Sequence, residues 1–63
     1  MTLADLYRVA TVGQKIIVKD CKKDWNVVYN GEIDNISFSI LDRKIRWIGS
    51  SDIYVGTLKI IIE

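Results

Sequence analysis

The chain has 63 residues, nine basic and eight acidic, for a net charge of +1, and 49% of it is hydrophobic. It holds no histidine, no proline and a single cysteine, Cys21, which excludes a histidine-based triad, an internal disulfide and a Cys/His zinc centre. The charge balance speaks against a domain built chiefly to grip a phosphate backbone, and no apolar run reaches the length that spans a bilayer.

The first elements change period at Gly13–Gln14. Leu3, Leu6, Tyr7 and Ala10 fall at i, i+3, i+4 and i+7, which predicts an amphipathic helix. Thr2 is placed to cap it, with Asp5 as the acidic partner of a capping box, and Gly13 to end it in a left-handed conformation. A helix of about ten residues does not hold alone in water, so it must dock on a sheet. From Gln14 the period becomes 2. Lys15 to Cys21 and Asn26 to Ile33 read as a hairpin across Lys22-Lys23-Asp24.

The middle segment leaves two readings open. Ile36-Ser37-Phe38-Ser39-Ile40 alternates like a third strand after a turn at Asp34-Asn35, and a helical turn through Ser39 to Asp42 competes with it. Lys44 to Ile48 and Ile53 to Ile62 then read as a closing hairpin across Gly49-Ser50-Ser51-Asp52. The expected fold is α+β in one domain, residues 1–63. A short N-terminal helix packs on a twisted four- or five-stranded antiparallel meander, or on a small, partly closed barrel.

Alternation assigns Ile16, Val18, Val27, Tyr29, Ile45, Trp47, Leu58, Ile60 and Ile62 to the face under the helix. It leaves Ile17, Val28, Ile48, Val55 and Ile61 on the other face, more aliphatics than a water-facing sheet normally carries. Either the sheet closes on itself or a partner covers this face. A domain of about 60 residues buries only about 60% of its unfolded surface, and oligomers are a common remedy. A homo-oligomer and a protein partner are therefore expected. Trp25, on a polar turn, either covers a core edge or meets that partner. The interface anchors expected are Ile17, Trp25, Val28, Ile48 and Ile61.

Catalytic chemistry has little to stand on. Asp20, Asp24, Glu32 and Asp34 gather around the first hairpin, but carboxylates and Asn start turns and no base or nucleophile accompanies them. Cys21 reads as a half-buried structural thiol. No enzyme activity, cofactor or metal is expected. Lys19, Arg43, Arg46 and Trp47 form the alternative, a basic and aromatic set suited to clamping a phosphate and stacking a base. Met1-Thr2-Leu3-Ala4-Asp5 lacks the basic-then-apolar pattern of a secretion signal. With a free cysteine, that makes a cytoplasmic location the expectation.

Two resemblances add to this reading. The leading helix, the strand after it and Val28-Tyr29-Asn30-Gly31-Glu32-Ile33 resemble the first half of an Sm-like small barrel, where an apolar–x–x–Gly–x–apolar stretch marks a bent second strand. Asp34-Asn35-Ile36 follows too soon to form that family's acidic RNA-pocket motif, so RNA binding is not implied. Leu3-Ala4-Asp5-Leu6, Ile16-Ile17-Val18-Lys19-Asp20, Tyr29-Asn30-Gly31 and Leu58-Lys59-Ile60-Ile61-Ile62 are together similar to small uncharacterised proteins of phages and mobile elements in Gram-positive bacteria. That resemblance implies a small accessory protein that blocks a host factor or sequesters a signalling nucleotide, and it transfers no active residues. The function expected is a non-enzymatic, self-associating binding module acting by protein–protein contacts; the alternative is a nucleotide- or nucleic-acid-binding module.

Overall fold

Leu3 and Leu6, one turn apart, are the buried residues of helix α1 (Leu3–Val9), as the 3.6-residue stripe requires. The computed structural model, which describes residues 1–51 and 55–63, gives this helix an unusually well-satisfied start. The Asp5 carboxylate accepts the Thr2 N–H at 2.9 Å, one half of the expected capping box. Two of the orphan donors of the first turn are met from elsewhere: the Leu3 and Ala4 N–H groups donate to the carbonyls of Arg43 and Leu41. The helix stops at Val9, short of Gly13, with Ala10 already extended. The β-branched Thr11 and Val12 follow, and Gly13 (φ +84°) instead turns the chain into the sheet.

The sheet has four strands: β1 (Lys15–Asp20), β2 (Asn26–Glu32), β3 (Ile45–Ser50) and β4 (Thr57–Ile62). Their spatial order is β2-β1-β4-β3, with β1 and β4 parallel and both outer pairs antiparallel. The domain is thus α+β with a mixed, open sheet, which corrects the antiparallel meander and the partly closed barrel. The expectations placed on Asp52, Ile53 and Tyr54 lie outside the described residues.

The cause of the correction is the middle segment. Residues 33–43 form two 3-10 turns, Ile33–Asn35 and Phe38–Ile40, with N–H groups of Ile36, Ile40, Leu41 and Arg43 bonded to carbonyls three residues back. Three-residue spacing buries both Ile33 and Ile36, while Phe38 stays exposed. A strand there would have extended the meander. The turns instead carry the chain over the sheet beside α1 and deliver β3 to the far edge.

The core lies between this layer and one sheet face. Ile16, Val18, Ile60 and Ile62 on the central strands are fully buried, joined by Leu3, Leu6, Ile33 and Ile36. Each such aliphatic contributes about 1.5–3 kcal/mol of burial free energy.

Both edge strands carry a register shift, and these shifts move side chains between faces. Val18 opposes Tyr29 and Lys19 opposes Val27, so Val28 is the extra residue in β2; Ile45 opposes Ile62 and Trp47 opposes Ile61, so Arg46 is extra in β3. Past a one-residue bulge the alternation inverts. Val27 and Trp47, expected under the helix, stand on the open face with Lys19 and Ile61. Ile48, expected on the open face, pairs with the fully buried Ile60 on the covered one.

Candidate functional site

The open face is read row by row across the strands. Val27, Lys19, Ile61 and Trp47 form one row, and Asn30, Ile17, Lys59 and Gly49 the next. With strands ~4.8 Å apart, each row runs ~14 Å across the sheet. Lys15 stands between Glu32 and Thr57 in a third. The face therefore has an aliphatic centre at Ile17 and Ile61, both half-buried, set among Lys15, Lys19 and Lys59, with Glu32 as its carboxylate.

The Trp47 indole reaches over Gly49 on this surface. A Cβ built on Gly49 would sit 2.6 Å from Cη2 and 2.8 Å from Cζ2 of the indole, so the ring occupies the space that any larger residue at 49 would need. Gly49 thereby gives the ring a floor, and an indole so placed, still 48% exposed, offers its outer side to solvent. At the other end of the face, Lys15, Ile17, Asn30, Glu32, Val55 and Thr57 line a depression of about 570 Å³.

Trp25 belongs to the β1–β2 turn, at the same end of the sheet as the Trp47 row. Asp24 and Trp25 have φ of +55° and +62°, and Asn26 N–H closes onto the Lys23 carbonyl at 3.0 Å. This is a turn with two left-handed central residues, the geometry that Asn-Gly usually occupies. A left-handed conformation costs an L-residue about 1–2 kcal/mol. The chain carries that cost at a tryptophan that remains half-exposed, and held backbone strain of this kind clusters at binding sites.

The other site residues separate. Val28 sits in the β2 bulge, exposed on an edge strand, and Arg46 in the β3 bulge beside Trp47. Arg43 is on the far side of the sheet from Lys19 and Trp47. It donates to the Asp20 carboxylate at 2.9 Å and to the Glu63 carbonyl. Asp20 is 1% exposed; its other oxygen accepts the Lys22 N–H at 2.9 Å. That backbone bond, followed by the Arg43 bond, holds the Asp20 carboxyl below its ordinary value. Arg43 is thus engaged in tying the β1 end and the C-terminus to the covering layer, and the four-residue basic set does not assemble.

Sequence reasoning placed Asp20 among turn carboxylates and missed this ion pair. The signal available was its position: an acidic residue ending an apolar strand on the phase of Ile16 and Val18 points into the core and needs a cation. Asp34, by contrast, ties the first 3-10 turn to the α1–β1 connection, accepting the Gly13 N–H at 3.0 Å. Among the described residues no group of three or more metal-ligating side chains comes together. No helix of the described chain is long and apolar enough to cross a membrane.

Comparison with family models, with curated proteins and with solved structures finds no match to this chain.

Proposed function

We propose that this chain is a non-enzymatic binding module that works by protein–protein contact through the open face of its sheet. The observation that carries the reading is the uncovered row Val27–Lys19–Ile61–Trp47 beside Ile17, an apolar centre with a charged rim, on a sheet whose central strands are covered on the other face by α1 and the 3-10 turns. This is the anatomy of an interface, in which aliphatic and aromatic anchors are ringed by polar groups. The strained, half-exposed Trp25 at the same end adds a second anchor. The resemblance to phage and mobile-element proteins supports an accessory role in the cytoplasm, blocking a host factor.

A nucleotide or single-stranded nucleic acid is the second reading, favoured by the half-exposed Trp47 indole with Lys19 in its row and Arg46 beside it. The aliphatic centre argues for the first reading, because Ile17 and Ile61 supply no stacking surface. A photo-crosslinking residue at position 47, with one at the exposed Val9 of α1 as control, tests the choice in cells expressing the protein. One discrete protein adduct from position 47 and none from position 9 is the expected result. Crosslinks from position 47 to nucleic acid alone would refute the proposal.

A further inference from the structure

We infer that the open face docks a short acidic segment of a partner protein, one that carries two apolar anchor side chains. This rests on the protein-docking reading above and specifies the partner. Charge selects an acidic occupant. Lys15, Lys19 and Lys59 stand on the face against Glu32, with Arg46 exposed in the adjoining bulge, although the whole chain is only +1. The one ion pair among the described residues is Arg43–Asp20, on the other side of the sheet, so these lysines offer their charge outward. A carboxylate-bearing partner is drawn to such a surface, and a cationic one repelled.

The same charge argues against a second copy. Two identical faces brought together would set lysines against lysines around a desolvated centre. Strand addition at the sheet edges is disfavoured as well, because both edges, β2 and β3, are bulged, and a bulged edge is twisted away from a regular ladder. What remains is a segment lying across the face.

The shape of the face suits two anchors. The middle of the depression, between Lys15 and Ile17, and the Lys19 row that holds Ile61 and Trp47 are about three residues apart along β1, or ~10 Å. One apolar side chain can enter the depression while another rests against Ile61 and the outer side of the Trp47 indole. Asp or Glu residues between and beside them then fall near Lys15, Lys19 and Lys59.

The test uses the full chain with Trp25→Phe, which leaves Trp47 as the only tryptophan, and follows its emission. The probes are blocked synthetic peptides in which leucine alternates with glutamate, leucine with lysine, or serine with glutamate, and an oligothymidylate. The leucine–glutamate peptide is expected to shift the Trp47 emission saturably. The serine–glutamate peptide should bind at least about tenfold more weakly, and Lys19→Glu should weaken the leucine–glutamate peptide about tenfold, as should added salt. Equal binding of the leucine–lysine peptide would overturn the acidic partner while leaving the docking face intact. Binding of oligothymidylate with no response to any peptide would overturn both this inference and the docking reading. A doubling of the 7.2 kDa mass that Trp47→Ala abolishes would overturn it in favour of self-association.

Discussion

Replacing Trp25 separately by glycine and by alanine isolates the strain in the β1–β2 turn. Both variants lose the indole and whatever it covers, so their difference reports the backbone alone. At φ +62° alanine keeps the left-handed penalty of about 1–2 kcal/mol, whereas glycine does not. Working the other way, alanine restricts the unfolded chain more and normally gains about 0.4–1 kcal/mol over glycine. The balance leaves the glycine variant more stable by about 1 kcal/mol. For a chain of this size a urea m-value of ~1 kcal/mol/M turns that into a midpoint about 1 M higher. Urea melts followed by far-ultraviolet circular dichroism, with equal slopes for the two variants, measure it. Asp24→Gly against Asp24→Ala should repeat the pattern, because Asp24 shares the conformation (φ +55°). An alanine variant as stable as the glycine variant, or more so, would refute a left-handed Trp25 and with it the argument that strain is held there for binding.

Ile60→Ala, at a fully buried central position, should cost about 3 kcal/mol in the same melts, a large part of the roughly 3–9 kcal/mol expected for a chain of this length. The lowered Asp20 carboxyl makes its contribution to stability complete above the ordinary carboxylate range and lost as pH falls through the depressed folded value; acid titration of Asp20→Asn should show a flatter pH dependence below about pH 4. Arg43→Lys keeps the charge but not the fork that reaches both Asp20 and the Glu63 carbonyl, so it should destabilise the fold while leaving any peptide binding at the open face unchanged in the folded fraction. Gly49→Ala should push the Trp47 ring off its floor, giving a red-shifted emission in the Trp25→Phe background; unchanged emission would mean that the ring does not lie over Gly49.

Several features were fixed by local pattern. The helix stripe of Leu3 and Leu6, the strand phase of Ile16 and Val18 and the terminal Ile60 and Ile62 are all set by periods of 3.6 and 2, which depend only on backbone geometry. The surplus of apolar residues on a second face was legible for the same reason, and Ile17 and Ile61 were placed on it correctly. Which residues share that face with them was not. Trp47 and Val27 reached it, and Ile48 left it, through one-residue bulges that exist only because β3 pairs with β4 and β2 with β1 in particular registers. The parallel β1–β4 pair and the Asp20–Arg43 bond likewise join segments far apart in the chain. Periodicity is a property of neighbouring residues, whereas strand order, bulge position and a buried ion pair are decided by which distant segments meet, and only the tertiary structure makes that choice.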